Sequence, residues 1–272
     1  MQKSLLNFNY SMMTGRFGLL LFLFLISYKL LTAQNQSCKG HSHNDYMQQK
    51  PFFTAYHNHM ASIEADIWEK DGELYVAHEK NEIRRENTLD ALYIKPIVKI
   101  FNENGGRAWK NSEHSFQLLV ELKSSTGPAL DLLIHKLNAY PEVFDLTKNQ
   151  YAVRIAITGN VPSKETFTEY PDFIGFDGEI NEGYTNQQLN KIALVSDNFE
   201  HFSKWKGEGA IPEQDREILL NAVNAAHEKG LKIRFWNAPD NPETWSAFIK
   251  LGIDFINTDQ PEMFYRYYPG NE

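Results

Sequence analysis

The chain has 272 residues, 42% of them hydrophobic and 23% charged, a globular composition that excludes a disordered chain. A single domain of ~250 residues is a usual size for a closed α/β barrel, with enough chain for one large core without staples. The formal charge of −8 argues against a nucleic acid partner, since phosphate backbones are held by clustered Lys and Arg, but leaves a small anionic substrate open.

At the amino terminus, residues 17–27 read FGLLLFLFLIS, with Lys3 and Arg16 before this run and Lys29 after it. The run is short of the ~20 apolar residues that span a bilayer. A positive start, a short apolar core and the small residue Ala33 predict a secretory signal over residues 1–33, cut before Gln34. The alternative is a retained anchor. Residues 1–33 carry no acid, so removing their three cations from −8 leaves −11. Cys38, the single cysteine, excludes an internal disulfide and reads as an incidental thiol. The expected localisation is periplasmic or extracellular.

From residue 34 onward, short β-rich runs alternate with longer helical ones. Strands are predicted at Lys39–His43, Ser62–Trp68, Gln117–Lys123, Ala152–Thr158, Phe173–Asp177, Ile192–Ser196, Lys232–Trp236 and Asp254–Asn257. A ninth run, Glu73–His78, follows the turn signal Asp71-Gly72 and reads as a hairpin extension of the second unit. Helices are predicted at Thr88–Phe101, broken or kinked by Pro96, at Pro128–Leu137 with Ser125, Thr126 and Gly127 to cap it, at Asp215–Lys229 stopped by Gly230, and at Pro242–Leu251 stopped by Gly252. Eight strands alternating with helices predict a TIM (β/α)8 barrel as one domain over residues 34–272. The main rival is a doubly wound open sheet, although no GxGxxG or GxxxxGK loop is present.

A barrel places its site where the strands end. Glu64 and Asp66 lie two apart on one strand, so both leave the same face, and Glu121 and Lys123 do likewise. The acids interrupt the apolar runs SIEADI and LLVELK, and buried strands rarely carry unpaired charge. Three carboxylates converging at one mouth would raise each other's pKa unless neutralised, and a divalent cation does so economically. Hard oxygen ligands favour Mg²⁺ or Ca²⁺, with Asn44 able to add an amide oxygen. His43 and His78 are the acid–base candidates, and Lys123 is placed to offset charge on a transition state. His57, His59, His114, His135, His201 and His227 read as structural or solvated.

These residues resemble a known family. Ser42-His43-Asn44-Asp45-Tyr46 resembles the SHNTY-like segment of phosphatidylinositol-specific phospholipases C, and Glu64-Ala65-Asp66 the ExD metal pair they share with glycerophosphodiester phosphodiesterases. Ala77-His78-Glu79 is similar to the later histidine segment, and Val120-Glu121-Leu122-Lys123 to the acidic-x-Lys strand. Ile233-Arg234-Phe235-Trp236-Asn237 resembles a WTVN-like strand, and the segment from Asp254 to Pro261 the closing D-G-I-x-T-D-x-P. The resemblance runs from about residue 39 to 264. It implies a phospholipase C-like barrel that hydrolyses glycerophosphodiesters or phospholipid head groups. His43 and His78 would act as acid and base, with metal on Glu64, Asp66, Glu121 and Asn44. The opening departs from the family's His-Arg-Gly, so His41 competes with His43 as the first catalytic histidine, and His43 is favoured because Asn44 follows it. Lys123 and Trp236 are expected to contact substrate, with Tyr184 beside them and Phe235 assigned to the core by strand alternation. The expected partners are a small phosphodiester or phospholipid head group, with transient contact at a membrane surface and no nucleic acid. The competing reading is an exported, non-catalytic barrel that binds a phosphorylated head group.

Overall fold

The computed structural model describes residues 39–268. The predicted signal segment and Cys38 lie outside the described residues. Nine strands form one sheet: β1 (Gly40–Ser42), β2 (Ser62–Lys70), β3 (Glu73–Val76), β4 (Gln117–Leu122), β5 (Arg154–Gly159), β6 (Ile174–Glu179), β7 (Ile192–Asn198), β8 (Ile233–Trp236) and β9 (Phe255–Thr258). All but β3 pair in parallel with their neighbours, and β1 pairs with both β2 and β9, which closes an eight-stranded barrel. Closure excludes the open doubly wound sheet.

β3 pairs antiparallel with the end of β2, as expected of the extra hairpin. Its turn holds Asp71 at φ 52° and Gly72 at φ 76°. Two consecutive positive φ values match the right-handed twist of the flanking strands, which is why Asp-Gly marks this hairpin.

Strand alternation sorts side chains between two environments. Ile63, Ala65 and Ile67 on β2 point outward into the main core, which lies between barrel and helices, as do Ile233 and Phe235 on β8. A smaller apolar layer of Leu119, Ala156, Leu194 and Phe255 plugs the barrel itself. The remaining inward positions are polar, and they build the site.

The helix expected over Thr88–Phe101 differs in detail. Asp90–Ile94 forms a π-helical turn that leads into the α-helix Lys95–Glu103, whose first turn contains Pro96. A proline inside an α-helix lacks a donor and its ring meets the carbonyl four residues back. Widening the preceding turn, with Lys95 N–H donating to Asp90 O, places Pro96 in a first turn where no donor is missed. Thr88 Oγ1 accepts from Ala91 N–H at the start of this segment. The helix Thr126–Leu137 begins slightly earlier than predicted, and Thr126 Oγ1 donates to Asn160 O and does not cap it. The helices Glu213–Glu228 and Pro242–Leu251 stand where periodicity puts them, the second ended by Gly252 at φ 85°. Among the described residues no helix is long and apolar enough to cross a membrane.

Gly159 ends β5 at φ 75°, where a Cβ would come within 2.7 Å of Glu121 Cγ and 2.8 Å of Leu122 O. A left-handed conformation costs an L-residue ~1–2 kcal/mol, and this clash is partly with backbone that cannot rotate away. Gly159→Ala is therefore expected to lower the unfolding free energy by ~2 kcal/mol or more, read as a lower urea midpoint at unchanged m-value. An unchanged midpoint would show that the β4–β5 mouth is not tightly packed.

Candidate active site and metal centre

The polar interior begins with His41 on β1. Its Nδ1 is 2.8 Å from Ser62 Oγ and its Nε2 is 2.8 Å from Glu64 Oε2 on β2. Arg234 Nη1 on β8 approaches the same Nε2 at 3.0 Å and Glu64 Oε2 at 3.8 Å, while Nη2 reaches Asp177 Oδ2 on β6 at 3.3 Å. Asp177 Oδ2 also accepts from Thr158 Oγ1 and Ser196 Oγ. His41 is 0% exposed. Burial first, and then the Arg234 charge, depress His41 to about 4, so the imidazole is neutral at neutral pH. Burial works to raise Glu64, but the hydrogen bond from His41 and the positive charge beside it hold it down, at about 2. Burial pushes Asp177 up, opposed by Arg234.

One layer nearer the mouth, register sets Asp66 on β2 beside Glu121 on β4. Lys123 Nζ, just past β4, bridges them at 3.1 Å to Asp66 Oδ2 and 2.9 Å to Glu121 Oε1. Burial raises Asp66 and Glu121 above the usual carboxylate range; the Glu64 charge adds to both, and the Asp66 charge adds to Glu121. Burial works to lower Lys123 but is outweighed by Glu121 and Asp66, so its ammonium is held above its ordinary value. Oxygens of Glu64, Asp66 and Glu121 lie within 4.8 Å of one another.

The loop after β1 closes over this group. Asn44 takes φ 48°, a left-handed conformation that Asn tolerates. Asp45 behind it is fully buried and accepts from Ser42 Oγ, Phe52 N–H and Tyr93 Oη. Burial brings Asp45 up to about 6 against these three donors. Thus anchored, the loop lays Tyr46 Oη 2.8 Å from Asp66 Oδ2, 2.7 Å from Asn44 Oδ1 and 3.2 Å from His78 Nδ1. Asn44 therefore reaches the carboxylates through the Tyr46 hydroxyl. Burial, and then Asp66, hold that hydroxyl protonated.

His43 and His78 both stand at the open mouth, their side chains 36% and 49% exposed. Each has Nδ1 against a carboxylate: His43 at 2.8 Å from Asp259 Oδ1, His78 at 3.3 Å from Asp66 Oδ2. With Nδ1 so engaged, Nε2 is the ring nitrogen left for proton exchange on both rings. Burial works to lower His43, but Asp259 and the more distant Glu64 raise it on balance. Trp236 ends β8 at 41% exposure, while Phe235 is fully buried against Phe202 and Phe248. Tyr184 Oη accepts from Glu179 N–H.

The residues present fit a divalent cation. Asp66 Oδ1 is buried without a hydrogen-bond partner, a costly state for a carboxylate oxygen unless something else engages it. Four inward carboxylates, Glu64, Asp66, Glu121 and Asp177, face the two cations Arg234 and Lys123, so acids outnumber fixed cations by two around this space. The donors are all hard oxygens, which suit Mg²⁺ or Ca²⁺.

Residues 29–167, just over half of the chain, match the family model described as AIM6-like phosphodiesterase domain. The chain belongs to this family. Residues 232–262, which carry β8 and β9, match the glycerophosphoryl diester phosphodiesterase family. Together the matches put the AIM6-like phosphodiesterase chain in the glycerophosphodiester phosphodiesterase-like superfamily of TIM barrels. Its relatives include Altered inheritance of mitochondria protein 6 of Lachancea thermotolerans, 26% identical over 86% of this chain and 66% of that protein. A homolog of that protein from Arthroderma benhamiae is 25% identical over 80% of each chain. The chain thus spans about two thirds of the length of the Lachancea relative. A solved glycerophosphodiester phosphodiesterase from Agrobacterium tumefaciens superimposes with a TM-score of 0.49 at 13% identity, over 84% of this chain and 97% of that one.

Sequence reasoning passed over Tyr46, Asp177, Arg234 and Asp259. Arg234 carried a usable signal, since it is a charge between Ile233 and Phe235 in an apolar strand, the same pattern that singled out Glu64. Replacing it removes the cation between Glu64 and Asp177. Breaking one side of a buried ion pair costs ~3–5 kcal/mol, so Arg234→Met is expected to lose stability in that range by denaturant unfolding. A loss under ~1 kcal/mol would mean the interior carboxylates do not depend on it.

Proposed function

We propose that this AIM6-like phosphodiesterase chain is a metal-dependent phosphodiester hydrolase that acts on glycerophosphodiesters or phospholipid head groups with paired histidines as acid and base. The observation that carries this reading is the meeting of Glu64, Asp66 and Glu121, with the unpartnered Asp66 Oδ1, beside two imidazoles each oriented by a carboxylate. Glu64, Asp66 and Glu121 would hold the cation, with Asn44 adjacent to them through Tyr46. A divalent cation bound there supplies Lewis-acid polarisation of a phosphoryl oxygen and lowers the pKa of an attacking hydroxyl.

The chain's own residues do the rest. His43 and His78 present Nε2 to the mouth, one to take the proton of the attacking oxygen and the other to return one to the leaving oxygen. Asp259 favours the protonated form of His43, which suits that ring to the acid role and leaves His78 the base. Tyr46 keeps its proton and fixes the Nδ1 side of His78. Lys123 places a positive charge where negative charge grows on the phosphoryl group. His41 is sealed below the mouth, so we assign it to positioning Glu64 and give the first catalytic histidine to His43. Trp236 lies on the rim, exposed enough to meet an apolar part of the substrate. Export to the periplasm or cell exterior, and transient contact with a membrane surface, belong to the same proposal.

The test is hydrolysis of bis(p-nitrophenyl) phosphate and of glycerophosphodiesters by the purified chain. Chelator is expected to abolish turnover and Mg²⁺ or Ca²⁺ to restore it. His78→Ala and Glu121→Gln should each lower kcat by ~10²-fold or more. Full activity in chelator, or in both variants, would overturn the proposal. Diester binding without hydrolysis under any metal would support the non-catalytic barrel instead.

A further inference from the structure

The alternation that turns His41, Arg234 and Ala156 into the barrel also governs the residues two positions earlier. Those residues are Lys39, Lys232 and Arg154, and they gather at the amino-terminal end of the barrel, opposite the carboxylates. A cavity of about 250 Å³ opens there, lined by Arg154, Lys232 and Lys191 together with Phe144, Phe173 and Leu231.

Two of the four basic groups are already satisfied. Lys191 Nζ donates to Tyr170 O and Pro171 O and pairs with Asp172 at 3.2 Å. Lys39 Nζ donates to Ile253 O at 2.8 Å. The guanidinium of Arg154 and the ammonium of Lys232 have no hydrogen-bonded or ion-paired anion among the described residues. The Lys232 ammonium stands over the Phe255 ring, 5.0 Å from Nζ to the ring centre. Asp254, the nearby acid, has its Oδ2 engaged by His227 Nε2 and Ile233 N–H. Lys232 is depressed by burial first and then by the Arg154 charge. A protein of net charge −8 therefore keeps two like charges beside a cavity, with neither held in an ion pair among the described residues.

We propose that this cavity is an anion site for a small phosphate monoester bearing an apolar group. Two unpaired cations match the roughly double charge of a phosphate monoester better than a carboxylate. The planar guanidinium of Arg154 offers the two-pronged donor geometry that phosphate oxygens accept. Lys232 adds a point charge, and Phe144, Phe173 and Leu231 form the wall for the apolar part. The site is separate from the carboxylate mouth and does not depend on what that mouth catalyses.

The experiment is calorimetry and thermal unfolding of the full chain with phenyl phosphate, inorganic phosphate and benzoate. It is run in chelator, where the bare carboxylates of the opposite mouth repel anions. Phenyl phosphate is expected to bind and to raise Tm, inorganic phosphate to bind more weakly, and benzoate more weakly still. Lys232→Met and Arg154→Gln should each weaken phenyl phosphate binding by ~10- to 100-fold, the loss of one charge-assisted contact. Without any anion, Lys232→Met should raise Tm, because it removes one of two like charges set side by side. No binding of phenyl phosphate at millimolar concentration, or equal binding by wild type and both variants, would overturn the site. Benzoate binding as tightly as phenyl phosphate would overturn its assignment to phosphate.

Discussion

The site depends on how crowded negative charge is held inside a barrel. Glu64 and Asp66 project from one strand into a space shared with Glu121 and Asp177, where burial raises the cost of each added charge. The arrangement is tolerable because two fixed cations stand in opposite layers: Arg234 beneath, between Glu64 and Asp177, and Lys123 above, between Asp66 and Glu121. They leave the upper carboxylates undercompensated, and that residual charge, with the unpartnered Asp66 Oδ1, gives a divalent cation a reason to bind.

The same constraint explains the split between the two histidines near the start of the barrel. His41 and His43 alternate on one short stretch and share a direction, but one lies a layer deeper than the other. His41 is enclosed by Ser62, Glu64 and Arg234 and has no access to the mouth. His43 clears the rim and meets Asp259 from the end of β9. The loop that follows is held by a buried anion, Asp45, whose three donors include Phe52 N–H. Phe52 takes φ 63°, unusual for a bulky residue, and its buried ring and this hydrogen bond keep it there. That anchor is what returns Tyr46 over Asp66 and His78.

The barrel was largely legible in the chain because parallel strands and amphipathic helices leave two distinct periodicities. Asp71-Gly72 announced its hairpin and Gly252 its helix end for reasons of φ alone. The carboxylates were legible for a related reason: two acids at alternate positions of SIEADI conflict with a buried strand unless something compensates them. What stayed hidden was the compensation. Asp177 and Arg234 are adjacent only because β6 and β8 flank β7 in a closed barrel, so no local spacing relates them. Tyr46 and Asp259 act through loops whose course rests on Asp45 and on the end of β9. The π-helical turn before Pro96 likewise could not be read from periodicity, since a kink, a break and a widened turn all satisfy the same missing donor.

Cation binding itself tests the account most directly. Calorimetric titration of the chelator-treated chain with MgCl₂ and CaCl₂ is predicted to give one ion per chain in the wild type. Glu64→Gln, which keeps the shape and removes the charge, is predicted to weaken it by ~10-fold or more. Binding of neither ion at millimolar concentration, or an affinity in Glu64→Gln equal to that of the wild type, would contradict it.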